Sequence, residues 1–425
     1  MKFSSQQELY THYKERYTVL SQYQVKEDFL PQSKLCIVIP CYNEPDLTIT
    51  LNSLKRAEQP EAPVEVIIVI NSPSNASERV IAQNSKSLKD FINWNNTLRD
   101  SKILAQTILA IDLPEKKAGV GLARKIGMDE AFRQFAKQNR VGHIICLDAD
   151  CTVSKSYLVE AENQLTEQVR GGHFYFEHII TNVYNPGLRK GITEYELHLR
   201  YHNQGLKYTG FPFADHTVGS CMIVRSDVYA LLGGMNQRKA GEDFYFMNKV
   251  YAGGNCIEIK NATVFPSARI SDRVPFGTGK AQGDWIDEQK THFETYNPRI
   301  YEVLKKFLDT ITNYKPVTIK ELPESIKPFL VETNFIHHHS SILNRSSSNE
   351  SFQKNLFLWC DAFYLLKMIH FLRDNSFPNK PVIAAAKQLL NDLKVEFSAD
   401  ATSLDLLEIY RQLEQPEPVS DANND

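Results

Sequence analysis

Two aspartates spaced two residues apart, Asp148 and Asp150, end an unbroken apolar run, H-I-I-C-L-D-A-D-C-T-V at residues 143–153. On a strand, their side chains share one face and Ala149 takes the other, so both can reach one ligand. Neighbouring carboxylates repel, and each favours its neutral form unless positive charge is held between them. A hard divalent cation, magnesium or manganese, meets that need: it takes one or two carboxylates and completes its shell with water and substrate phosphates. A second acidic pair, Glu242 and Asp243, follows Gly241 at the head of the helical stretch E-D-F-Y-F-M-N-K-V. The helix dipole alone favours acids there, and in a pocket one of them can serve as a general base. Two groups of residues suit anions. Residues 119–127, G-V-G-L-A-R-K-I-G, lead into a helix whose free N–H groups, with Arg124, can receive a diphosphate. Arg269, Arg273 and Lys280 gather near Gly277-Thr278-Gly279, read as a turn, to form an anion clamp.

These residues need a scaffold. Residues 34–40, K-L-C-I-V-I-P, and 64–70, V-E-V-I-I-V-I, read as buried strands. Between them lies a helix with Leu47, Leu51 and Leu54 on one face. A loop at 71–75, a polar helix to about residue 100, a third strand at 103–111 and a helix toward Gln138 precede the strand that ends at Asp148. Alternating strands and helices with short links predict a doubly wound, mostly parallel sheet, whose ligands sit beyond the carboxyl ends of the strands. Further strands are expected at 172–178 and 216–225. A helix is expected at 188–207, and another is capped by Ser226 and stopped at Gly233-Gly234. The dense aromatics between 171 and 215 are read mostly as core. Beyond about residue 290 the pattern turns helical, at 298–314, 351–374 and 380–396. His337-His338-His339 is read as a loop, and the acidic, proline-bearing end as disordered.

With 425 residues, 42% hydrophobic and 23% charged, the composition is that of a globular chain of two domains or one extended domain. A net charge of −3 favours neither nucleic acid nor an anionic membrane as partner. No apolar segment near Met1 resembles a signal peptide, and the most apolar helical stretch, residues 356–372, carries Asp361, Lys367 and His370. Seven cysteines without a C-x-x-C fit a reducing compartment, so a cytoplasmic protein without a transmembrane segment is expected, with peripheral membrane contact left open.

Five fragments stand in a telling order: V-I-P-C-Y-N-E at 38–44, G-V-G-L-A-R-K-I-G at 119–127, C-L-D-A-D-C at 146–151, G-S-C-M-I-V-R-S-D-V-Y-A-L-L-G-G-M at 219–235 and G-E-D-F at 241–244. Together, over about residues 33–285, they resemble a family 2 glycosyltransferase of the GT-A fold. The resemblance implies an α/β architecture with a Rossmann-like, mostly parallel sheet flanked by helices, extended here by an α-helical C-terminal region. The domains expected are an N-terminal helical arm (1–32), a GT-A domain (33–285, with a nucleotide-binding half at 33–153 and an acceptor half at 154–285), a helical region (286–412) and a disordered tail (413–425). The implied activity is metal-dependent, hexosyltransferase-type transfer from a nucleotide-diphosphate sugar, UDP-linked by preference, to an acceptor hydroxyl. The acceptor class is left open among glycan, lipid-linked and small molecules.

By matching position, Pro40, Tyr42 and Glu44 border the nucleoside, Asp148 faces the ribose or the metal, and Arg124 stands where the family carries A-R-N. Asn71, outside the family pattern, can still hydrogen-bond a base edge, and Gly121, Arg269 and Arg273 are read with the donor's diphosphate. Asp150, Asp148 and Asp272 are the implied ligands of manganese or magnesium. Asp243 is the implied base, with Glu242 beside it. Two departures from the family pattern stand out. The acidic D-D-G-S expected after the second strand reads Asn71-Ser72-Pro73-Ser74, and Asp272 lies in a basic segment where many relatives carry a histidine ligand. The Q-x-x-R-W of processive synthases is absent, which favours a non-processive enzyme, while the inverting outcome expected is what the resemblance implies, with retention left open. A sugar-1-phosphate nucleotidyltransferase would want a glycine-rich, arginine-bearing loop after the first strand, and C-Y-N-E-P-D stands there instead. A catalytically silent nucleotide-sugar binder of the same fold is the other alternative, and nucleotide-sugar hydrolysis distinguishes it.

Overall fold

The computed structural model describes residues 3–17, 19–99, 101–237, 241–271, 273 and 277–415. The chain divides into two compact units, Met1–Ile179 with Thr217–Gly283, and Ile180–His216 with Asp284–Asp425.

The first unit is built on eight strands: β1 (Leu35–Cys41), β2 (Val64–Pro73), β3 (Ile103–Leu113), β4 (His143–Cys146), β5 (Thr152–Val153), β6 (Gly171–Phe176), β7 (Met222–Arg225) and β8 (Cys256–Phe265). Their order is β3-β2-β1-β4-β7-β6-β8-β5. The pairs β1–β2, β2–β3, β1–β4 and β6–β8 are parallel, and β4–β7, β6–β7 and β5–β8 are antiparallel. A parallel strand covered on both faces reads as a continuous apolar run, and β1 is buried at every position. The helix Leu47–Arg56 turns Leu47, Leu51 and Leu54 inward as their spacing predicts. The helix Val120–Lys137 packs on β1 and β2. It comes so near that a Cβ on Gly127 would lie 2.4 Å from Cγ1 of Val38. Ahead of the sheet, the helix Gln6–Arg16 is capped by the Ser5 hydroxyl, which accepts the Glu8 N–H.

Several boundaries differ from expectation. Strand β2 continues through Asn71 to Pro73, because β3 runs alongside it as far as Leu113 with a register shift at that point. Strand β4 stops at Cys146, so Asp148 and Asp150 lie in a turn beyond it, where the Cys151 N–H donates to the Asp148 carbonyl at 3.1 Å. The strand expected at 216–225 is a short 3-10 turn, Gly219–Cys221, followed by β7. Ser226 is no cap: it opens the helix Ser226–Leu231, and its hydroxyl accepts the Gly142 N–H at 3.2 Å. Thr278 and Gly279 lie in the helix Thr278–Asp287, not in a turn.

The second unit is helical, with Pro186–Tyr208, Pro298–Ile311, Val382–Asp392 and Ser403–Glu414 packed around Tyr201, Tyr301, Leu389 and Leu407. Residues 180–216, which the sequence suggested for the acceptor half, therefore cluster with the C-terminal helices. The 23-residue Pro186–Tyr208 helix buries Ile192, Leu197 and Tyr201, and the helices Val382–Asp392 and Ser403–Glu414 pack against it. The three consecutive histidines form part of the helix Phe335–Arg345: His339 is buried and hydrogen-bonds the Ile311 carbonyl, and His338 stacks on Trp359. The stretch 351–374 breaks in two at Asp361, which accepts the Tyr364 N–H and so starts a second helix. Among the described residues no single helix is long and apolar enough to cross a membrane. Asn349–Trp359 and Ala362–Asn375 reach that length and composition only as a pair bent by 60°. The expected disordered tail lies outside the described residues from residue 416 onward.

Candidate active site

Strands β1 and β4 lie side by side where the sheet order reverses, and an open α/β sheet places its ligand crevice at the carboxyl ends of such strands. Pro40 ends the apolar run of β1, and the chain then turns through Tyr42 and Asn43, the latter at φ 49°. Glu44 follows, fully buried. One oxygen of its carboxylate accepts the Asp46 N–H at 2.9 Å. The other binds both Arg269 and Arg273, the latter at 2.7 Å. The same two guanidiniums hold Asp150 at 3.3 and 3.0 Å. Arg273 also donates to the Tyr42 carbonyl and to the Ser271 hydroxyl, and Arg269 reaches Asp46 at 3.4 Å. Arg269 and Arg273 thus converge on the carboxylates of Glu44 and Asp150. Nothing in the local pattern signalled that Glu44 would lie beneath them, nor that Asp46 would join. Asp272 lies outside the described residues.

Asn71 sits at the end of the buried part of β2. Its Nδ2 donates to the Cys41 carbonyl at 3.1 Å, and Asn84 donates to the Asn71 carbonyl at 2.8 Å. The amide is thereby fixed, with Oδ1 unspent among the described residues.

A second centre is built on Arg124, 3% exposed in the first turns of the Val120–Lys137 helix, with Gly121 buried beside it. One terminal nitrogen donates to Asp148 at 2.5 Å and the other to Glu242. Glu242 is 2% exposed and opens the helix Glu242–Ala252, which starts after Gly241 in the left-handed region at φ 69°, a conformation glycine adopts without a Cβ penalty. Asp243, the next residue, accepts the Phe244 N–H at 2.7 Å. Burial, then the charge of Glu242, pushes its carboxyl up to about 6 against the pull of Arg124. One member of each acidic pair noted in the sequence, Asp148 and Glu242, therefore meets the other across one guanidinium.

Asp148 and Asp150 do not share a strand face, since both lie past β4, and each has its own arginine partner. They remain close: burial first, then the Asp148 charge, raises the Asp150 carboxyl, with Arg273 and Arg269 opposing. Two part-exposed carboxylates in mutual repulsion are the donor set that a magnesium or manganese ion takes. Among the described residues no cluster of three acidic, histidine or cysteine side chains suits a metal. The remaining ligands would thus come from phosphate and water.

Residues 36–231 match the family model described as Glycosyl transferase family 2. The match includes Pro40 through Asp150 and the Gly219 turn, and it ends before Glu242. No curated protein matches the chain. Among solved structures, the chain is similar to S. aureus TarS 1-349 in complex with UDP-GlcNAc, at 13% identity and a TM-score of 0.39, covering 87% of this chain and 95% of that one. It is also similar to S. aureus TarS 1-349 in complex with UDP, at 11% identity and a TM-score of 0.38, covering 77% and 92%. The mixed sheet of the first unit, ordered β3-β2-β1-β4-β7-β6-β8-β5 and flanked by helices, is the α/β architecture with a mostly parallel sheet that the sequence implied.

Proposed function

We propose, from the match of residues 36–231 to the glycosyl transferase family 2 model, that the chain moves a sugar from a UDP-linked donor to an acceptor hydroxyl, non-processively and with inversion. Asp243 takes the hydroxyl proton as the acceptor oxygen attacks the anomeric carbon on the face opposite the diphosphate. The bond from that carbon to the diphosphate oxygen breaks, and its electron pair leaves with the nucleoside diphosphate. Arg269 and Arg273, each part-exposed, keep the buried Glu44 and release Asp150 for phosphate oxygens as this charge develops, an electrostatic role that commonly dominates such catalysis. A divalent cation, when held by Asp148 and Asp150, supplies further neutralisation of the diphosphate.

The observation that carries this reading is the Asp148–Arg124–Glu242 bridge, with Asp243 at the adjoining helix start and its carboxyl at about 6. A base is most effective when its pKa lies near the working pH. The unspent Oδ1 of Asn71 supports a base that donates an N–H from its edge, as uracil does. All seven cysteines are free, which supports a cytoplasmic setting. The acceptor is a glycan, lipid-linked or small-molecule hydroxyl.

Calorimetric titration with UDP-sugars, with and without manganese, tests the assignment. Asp150→Ala is expected to lose the manganese-dependent part of binding. Asp243→Asn is expected to retain binding and lose ~10²–10⁴ in transfer rate. Unchanged binding in the first variant, or undiminished turnover in the second, would overturn the roles given to these residues.

A further inference from the structure

Arg124 is more enclosed than the other two arginines of the site. Its side chain is 4% exposed, against 27% for Arg269 and 22% for Arg273. Both terminal nitrogens are engaged, one with Asp148 and one with Glu242, and its Nε is buried without a partner. The Gly219 backbone lies against the guanidinium: a Cβ at that position would stand 2.6 Å from both terminal nitrogens and 2.7 Å from the central carbon. A phosphate could reach Arg124 only by displacing one of two carboxylates, and removal of the arginine would leave Glu242, 2% exposed, as an unpaired buried anion.

We propose that Arg124 is a positioning residue that takes no phosphate of the donor: it fixes Glu242, and with it the helix start that carries Asp243, beside Asp148 at the tip of β4, and Gly219 is required as glycine to leave the guanidinium its room. The catalytic consequence rests on the transferase reading. The structural consequence, that Arg124 acts through Glu242, does not. A planar fork that bridges two carboxylates also explains the need for arginine, since lysine offers a single point charge.

The experiment uses Arg124→Gln, Arg124→Lys, Gly219→Ala, Glu242→Gln and the Arg124→Gln/Glu242→Gln double variant of the full chain. UDP is the binding probe, and the substrate is the UDP-sugar that the wild-type chain hydrolyses fastest. The expected result is a fall in kcat of about a hundredfold for both Arg124 variants and about tenfold for Gly219→Ala. The donor KM and the Kd for UDP stay within threefold, a split that a merely structural defect or a phosphate contact would not produce. The double variant loses no more than Arg124→Gln alone, because both changes act through one pair. A tenfold weaker Kd for UDP in Arg124→Lys or Gly219→Ala, with kcat intact, would show a donor contact and overturn the proposal. Additive losses in the double variant would overturn it too. If the wild-type chain turns over no UDP-sugar, the transferase reading fails by itself and thermal melts decide the positioning role. Glu242→Gln must then recover at least half of the Tm lost in Arg124→Gln, and additive losses of Tm reject the pairing.

Discussion

A carboxyl held at about 6 is charged only on the alkaline side of that value, so the proton acceptor assigned to Asp243 is lost on acidification. Turnover is therefore expected to fall below about pH 6 with unit slope in a plot of log kcat/KM, and the residual turnover of Asp243→Asn should lack that limb. The stability linkage has the opposite sign from that of a paired carboxylate. The folded value lies above the ordinary 3.8, so the group's contribution to the fold is fully present below 3.8 and is lost as pH rises through about 6. Asp243→Asn should thus be more stable than the wild type at pH 7.5, by roughly 1–3 kcal/mol, and that margin should vanish toward pH 4. Urea titrations at the two pH values measure it. An equal margin at both would mean that the carboxyl is not strained by burial, and the base assignment would lose its physical support.

Docking of the first helix turns on one glycine. After the helix Ser226–Leu231 the chain passes through Gly233 and Gly234, at φ 87° and 72°. A Cβ on Gly234 would fall 2.0 Å from the Tyr13 hydroxyl. That hydroxyl donates to the buried Asp129 at 2.7 Å and accepts from Lys125 at 2.8 Å, while Tyr229 donates to the same carboxylate at 2.6 Å. Gly234→Ala is therefore expected to lose roughly 2–4 kcal/mol, from overpacking and left-handed backbone together. Denaturant unfolding checks it, and an unchanged unfolding midpoint would show that the Gln6–Arg16 helix is not held there. The double glycine was legible as a helix stop, but its partner Tyr13, near the start of the chain, was not. The same division runs through the site. Apolar runs announced β1, β2 and β4, and the Leu47–Leu51–Leu54 spacing announced a helix face, because these signals are local. The point where β4 ends was hidden, since its ladder depends on β7, which lies far downstream beyond β6. The partnership of Arg124 with Glu242 was hidden for the same reason, although both motifs stood out on their own. The helix from Thr278 was masked by turn-forming glycines on both sides of that threonine.

At the scale of the whole molecule, a core of charge accompanies the apolar core of the second unit. Glu414, 1% exposed in the helix Ser403–Glu414, binds Arg200 and hydrogen-bonds His216 at 2.9 Å. Arg200, fully buried in the helix Pro186–Tyr208, also binds Glu196 at 2.8 Å, and Glu196 takes Arg411 at 2.9 Å. Segments far apart in sequence are thus tied through charges that have little access to water. Burial alone would raise the Glu414 carboxyl, but His216 and Arg200 outweigh it and hold the group at about 2. Because that lies below the ordinary 4.5, the stabilisation is fully present above 4.5 and is lost as pH falls toward about 2. Glu414→Gln removes the charge that Arg200 and His216 face, and breaking a buried pair from one side costs roughly 3–5 kcal/mol. Hydrogen exchange in the helix Ser403–Glu414 reads this directly. At pH 7 the variant should exchange faster than the wild type by a factor of several hundred or more, and near pH 3 the gap should narrow sharply as the wild-type carboxylate approaches its own protonation. A gap of the same size at both pH values would mean that Glu414 acts by packing alone, and the charge network would not be what ties the two helices together.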